Sequence, residues 1–121
     1  LPPGDIQMGL VDFGFSMSQA PTSGRHTFEV TNQASQPHEV VLVRLVPGAT
    51  VDSMIAWFAG GEKGPPPGEP VGGLTALSPG GVQQFTVDLA PGSYGLICFI
   101  PDAGDGKPHF LHGMSMTFTV S

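Results

Sequence analysis

Near its C-terminus the chain gathers side chains of the kinds that hold a soft or borderline metal ion. The stretch CFIPDAGDGKPHFLHGM, residues 98 to 114, places a thiol at Cys98, imidazoles at His109 and His112, and a thioether at Met114. Thiolate, imidazole and thioether are donors that copper prefers. A further imidazole, His38, follows Pro37 in the segment VTNQASQPHEVVLV. Each of these residues also has a plainer reading. A free cysteine is commonly a buried core thiol, and the stretch reads equally as a turn between two core strands. His38 alone reads as a strand-edge histidine, and Met114 as a core residue like Met116. His112 rivals His109: it lies nearer Met114 but lacks a preceding proline.

The elements that must position these residues read mainly as strands. Met114, Met116, Phe118 and Val120 alternate with Ser115, Thr117 and Thr119. Phe85, Val87 and Leu89 alternate in the same way, as do Phe28 and Val30. A period of two marks a strand with one face on a core. Residues 40–45, VVLVRL, are more continuously apolar, which predicts a strand covered on both sides. Residues 6–15 and 93–99 also read as strands, and Tyr94, Leu96 and Cys98 fall on one face, aiming the thiol inward. Pro47-Gly48, Pro79-Gly80-Gly81 and Pro91-Gly92 mark turns between them. One segment departs from this period: Val51, Met54, Ile55 and Phe58 form a helical stripe, with Thr50 or Asp52 to cap it and Gly60-Gly61 to end it. The following GGEKGPPPGEPVGG suits neither a helix nor a central strand and reads as an exposed, stiff loop. Seven or eight short strands, one short helix and Pro-Gly turns describe an all-β sandwich.

Length and composition bound the rest. A chain of 121 residues predicts a single domain over 1–121. Its 18 glycines and 13 prolines are spread between apolar runs, which argues for turns rather than disorder. A net charge of −6 disfavours nucleic acid and anionic membrane as partners while permitting a basic protein. Cys98 is the one cysteine, so no internal disulfide framework exists. No apolar run reaches the length of a membrane helix, and no membrane anchor is visible. The start LPPGDIQ, without Met, reads as a mature end and hints at export. No paired carboxylates, Ser-His-Asp set or phosphate-binding glycine motif stands out, so an enzyme is not expected.

The Cys-to-Met stretch and the segment before His38 together resemble the cupredoxins, the small blue copper proteins of the plastocyanin, auracyanin and azurin type. The family pattern of Tyr, Cys, a loop, then Pro-His-x-x-x-Gly-Met is matched by Tyr94, Cys98, Pro108-His109 and Gly113-Met114. Asn32, Pro37 and His38 match the family's upstream Asn and Pro-His segment, and the similarity spans roughly residues 25 to 121. The resemblance implies a Greek-key β-sandwich and one copper ion held by His38, Cys98, His109 and Met114. It implies a type 1 copper protein acting as a soluble electron carrier. The alternatives are a copper carrier or sensor, or a metal-free interaction domain on the same fold. Two cysteines would be needed for a dinuclear site and several His-x-His pairs for a multicopper oxidase, and neither is present. The resemblance further implies a periplasmic or extracytoplasmic monomer, with a ligand histidine showing its ring edge through an apolar patch at Pro108–Leu111, where a redox partner docks.

The sequence departs from the family in two places. Ten residues separate Cys98 from His109, more than is usual in the family, and the Asp-containing turn signals in IPDAGDG suggest that the excess folds back on itself. Glu39 follows the first histidine where the family usually has an Asn that ties the ligand segments together. His26, at a strand start, reads as structural, and Asp102 and Asp105 as turn residues.

Overall fold

A computed structural model describes residues 2–121. Eight strands form two sheets. β1 (Ile6–Val11), β2 (Gly14–Met17), β3 (Gly24–Asn32) and β6 (Val82–Leu89) make one, in the order β2-β1-β3-β6. β4 (His38–Leu45), β5 (Gly68–Leu77), β7 (Gly92–Ile97) and β8 (Ser115–Val120) make the other, in the order β5-β4-β7-β8. β1 runs parallel to β3, and every other neighbouring pair is antiparallel. The all-β sandwich expected from the period-two pattern is what forms.

The alternation explains the layering. Ile6, Met8, Leu10, Phe28 and Val30 meet Val40, Leu42, Tyr94 and Leu96 between the sheets. Val43 and Leu45, on the opposite face of β4, pack with Ile97 against Val51 and Met54 of the helix α1 (Val51–Ala59). This second cover is why residues 40–45 are apolar almost throughout. Thr50 caps α1, its side chain accepting from the Ser53 N–H while Ser53 Oγ accepts from the Thr50 N–H. Such a box satisfies donors that the first turn leaves open. The Trp57 indole donates to the Gly64 carbonyl and holds the following loop to the helix.

Two expectations are corrected. Residues 6–15 are not one strand: the chain reverses at Asp12-Phe13, and β2 pairs back on β1. Phe13 takes φ 109°, a conformation unusual for a bulky side chain. The stretch after α1 is not all loop either. From Gly68 it becomes β5, an edge strand on β4, interrupted by register shifts. An edge tolerates Pro70, whose missing N–H costs no central ladder bond. Gly73 sits there at φ 135°, where a Cβ would lie 2.0 Å from the Val40 carbonyl oxygen, so no other residue fits.

His26 is structural, as expected. Buried at the start of β3, its Nδ1 lies 2.6 Å from Asp5 Oδ2 and its Nε2 2.7 Å from the Thr22 carbonyl. No helix among the described residues is long and apolar enough to cross a membrane.

Candidate metal centre

Each predicted donor sits where a strand has just begun or ended. His38 opens β4, Cys98 follows the last residue of β7, and Met114 precedes β8. β4 and β7 are neighbours, as are β7 and β8, so the sheet brings the three positions to one end of the sandwich. His109 begins a single 3₁₀ turn, His109–His112, inside the connecting loop. Backbone bonds fix that turn: the Phe110 N–H donates to the Cys98 carbonyl, His109 to Ile100, and Met114 to His109. Gly113 ends it at φ 95°, which lets the chain turn directly into Met114.

The excess loop residues fold back as their turn signals suggest. Pro101 bridges Pro108, Asp102 and Lys107 are joined by a backbone bond, and the Gly106 N–H returns to the Asp102 carbonyl. Asp102 and Asp105 accept from backbone N–H groups one turn on, holding Asp102 and Asp105 in charged form below their ordinary range. For Asp102 the largest cause is the Gln36 side-chain amide.

Three donor atoms converge at the centre. His38 Nδ1 and His109 Nδ1 are 3.0 Å apart, and Cys98 Sγ lies 3.8 Å from the first and 3.5 Å from the second. All three residues are wholly buried, as is Met114. A point equidistant from the three atoms lies about 2.0 Å from each, close to the lengths of metal bonds to imidazole nitrogen and somewhat short for thiolate. Met114 is tied to this group by backbone bonds to both Cys98 and His109.

Hydrogen bonding settles which nitrogen of each ring carries the proton. His38 Nε2 is 3.0 Å from Asp12 Oδ1, and a carboxylate only accepts. His109 Nε2 is 3.0 Å from Gln36 Oε1, an oxygen that also accepts from the Ala103 N–H, while Gln36 Nε2 donates to Asp102. Both rings therefore carry hydrogen on Nε2, and both Nδ1 atoms present lone pairs to one another. Burial first, then the neighbouring His38, holds His109 below the usual histidine range. Burial likewise pushes the Cys98 thiol up. Two facing lone pairs beside a buried thiol make a repulsive arrangement that a cation relieves. The donor set fits a soft or borderline ion.

His112 does not join the group. Its ring is partly exposed, and Nε2 lies 2.8 Å from Asp105 Oδ2, close but too poorly aligned for a hydrogen bond. His112, Asp102 and Asp105 stand together beside the centre.

Two neighbours, Asp12 and Gln36, escaped the sequence reading. Asp12 and Gln36 hold the outer nitrogens, and Glu39 locks the ligand segments: its carboxylate accepts from the Phe99 N–H at 3.1 Å, and its own N–H points at Cys98 Sγ. Glu39 thus supplies the tie expected of an Asn. Asn32 staples the approach to His38 by donating to the Gln36 and Leu77 carbonyls. The exposed ring edge is corrected: His109 is fully covered by Gln36 on its outer nitrogen and by the Phe13 ring at 5.5 Å.

Neither a protein-family model nor a curated protein sequence matches the chain. Solved structures do match. The dithionite-reduced auracyanin of Roseiflexus castenholzii superposes with a TM-score of 0.64 at 22% identity, covering 95% of this chain and 94% of that one. Auracyanin A of Chloroflexus aurantiacus, a "blue" copper protein, gives 0.65 at 19% identity over 96% and 97%. The chain has the cupredoxin fold. Rusticyanin of Thiobacillus ferrooxidans gives 0.55 at 23% identity over 96% and 75%. The two-sheet sandwich belongs to that cupredoxin architecture.

Proposed function

We propose that this chain is a mononuclear type 1 copper protein that carries single electrons between other proteins. The observation that carries the reading is the pair of Nδ1 lone pairs facing each other and Cys98 Sγ in a buried pocket. His38 and His109 would hold the ion through Nδ1 and Cys98 through its thiolate, with the Met114 thioether as a weaker fourth donor. The likeness in fold to a "blue" copper protein supports the choice of copper. Bound copper would supply a one-electron couple, Cu(II) + e⁻ to Cu(I), with no bond to a substrate made or broken.

The residues around the centre suit such a role. Asp12, Gln36 and Glu39 fix the donors before the metal arrives, so little has to rearrange when an electron moves. Gln36 and Phe13 close the site above His109 and exclude small substrates, which favours electron carriage over enzyme chemistry. Leu111 stands exposed beside Phe110, whose N–H is bonded to the Cys98 carbonyl. This apolar spot, on a chain of net charge −6, fits a weakly docking redox partner with basic surroundings. An extracytoplasmic setting is consistent with these properties.

Addition of Cu(II) to the metal-free protein tests the reading. An intense visible thiolate-to-Cu(II) charge-transfer band should appear, and Cys98→Ser should abolish it while leaving the fold intact. A colourless wild-type protein, or a coloured Cys98→Ser variant, would overturn the assignment.

A further inference from the structure

We propose that Asp12 is the positioning residue of His38: its carboxylate fixes the ring's tautomer and aim, and its negative charge favours the oxidised metal. This rests on the copper reading above. Asp12 comes from the β1–β2 turn, on the sheet opposite β4, so nothing in the local chain dictates its approach to His38. Its two oxygens are divided between two tasks. Oδ1 accepts the hydrogen bond from His38 Nε2–H at 3.0 Å. Oδ2 accepts from Ser35 Oγ at 2.8 Å and, more loosely, from the Ser35 N–H at 3.4 Å. The carboxylate is thus itself held, by the turn that delivers His38.

The turn carrying Asp12 is built with strain. Phe13 keeps φ 109° while its ring packs against both His109 and His112, at 5.5 and 5.0 Å. A bulky residue in this region persists only when its surroundings fix it. Here the fixed turn aims a carboxylate at one ligand and an aromatic ring at the other.

The two imidazoles are consequently unequal. His109 donates its outer N–H to a neutral amide oxygen, His38 to a carboxylate. A carboxylate partner raises the basicity of a ligating imidazole. It also places a negative charge near the metal, which stabilises the ion of higher charge. The couple remains a one-electron exchange, Cu(II) + e⁻ to Cu(I), with Asp12 a carboxylate in both states and no proton transferred.

The test compares copper-loaded wild type, Asp12→Asn and Asp105→Asn, with the His38 ring followed by nitrogen NMR in the metal-free proteins. Asp12→Asn should keep the charge-transfer band and shift the equilibrium about tenfold toward Cu(I), a rise of about 59 mV for one electron. Asp105→Asn removes a charge from the same end without touching a ligand, and should shift it far less. In the metal-free wild type the His38 proton should sit on Nε2, and Asp12→Ala should release it to both nitrogens. Equal shifts in the two asparagine variants would reduce Asp12 to a distant charge and overturn the positioning role. An unchanged potential in Asp12→Asn, or an unchanged tautomer in Asp12→Ala, would do the same. A colourless wild type overturns the copper reading and the tuning with it, and the metal-free tautomer then still shows whether Asp12 positions the ring.

Discussion

Glu39 grips the cysteine segment at two adjacent points: its N–H lies 3.4 Å from Cys98 Sγ, and its carboxylate accepts the Phe99 N–H at 3.1 Å. Because Glu39 directly follows His38, one residue couples two of the donors across β4 and β7. Glu39→Gln retains an acceptor for Phe99 and should leave stability near wild type. Glu39→Ala strands a partly buried N–H and should cost about 1–2 kcal/mol. Thermal unfolding of the metal-free variants checks the difference. If both substitutions are silent, the side chain is not the tie.

His109 and His112 are separated by one 3₁₀ turn but do different things. His109 points its Nδ1 at Cys98, whereas His112 leans on Asp105 at the surface. His109→Ala should therefore cost copper affinity at least tenfold and remove the wild-type spectrum. His112→Ala should keep the band and move it only slightly. Copper titration monitored by absorbance separates them, and the opposite ranking would transfer the ligand role to His112.

The legible part of the sequence was the part governed by local chemistry and period. Alternating Met116, Phe118 and Val120 and the helical stripe from Val51 each follow from near neighbours in the chain, whereas the choice of His109 and Met114 rested on the resemblance to the cupredoxin pattern. Asp12 and Gln36 were illegible for the opposite reason. Asp12 lies 26 residues from His38 and Gln36 lies 73 from His109, and only the packing of the two sheets brings them to the rings. β5 was obscured because its Gly- and Pro-rich composition reads as loop, while an edge position removes the demands that exclude such residues from a central strand. The burial of His109 depended on Gln36, whose side chain gave no signal of its own.

His26 and Asp5 form a pH-dependent strut between the N-terminal segment and β3. Bonding to Asp5 raises His26 above its ordinary value of 6.5, chiefly through the side-chain hydrogen bond. Its stabilisation is complete below 6.5 and disappears as pH rises through the higher folded value. The same bond, with the Thr27 N–H, lowers Asp5 below 3.8, so that contribution is complete above 3.8 and disappears as pH falls through the lower folded value. The strut is strongest between about 4 and 6.5. The difference in melting temperature between wild type and His26→Gln should be largest there, a few degrees in size, and should shrink above neutral pH. Taking the difference cancels the titration of the other histidines. A difference that grows above pH 7 would contradict the sign.

Leu111 is more than half exposed, at 58%, although the histidine two residues before it is sealed. With the His109 edge covered by Gln36, an electron has a second way out. The Cys98 carbonyl accepts from the Phe110 N–H at 3.0 Å, which leads from the thiol-bearing residue to the residue beside Leu111. Docking of a redox partner on this spot would place it at the end of that short path. Transient redox contacts are small, so a single apolar side chain carries a large share of one. Leu111→Asp should slow electron exchange with a partner about tenfold or more, yet leave the copper spectrum unchanged and shift the potential no more than Asp105→Asn does. Added salt should slow association with a basic partner, since the chain carries a net charge of −6. Gln36→Ala would uncover the His109 edge and discriminates between the two exits. Faster exchange in Gln36→Ala with no effect of Leu111→Asp would place the natural exit at His109 rather than at Phe110 and Leu111.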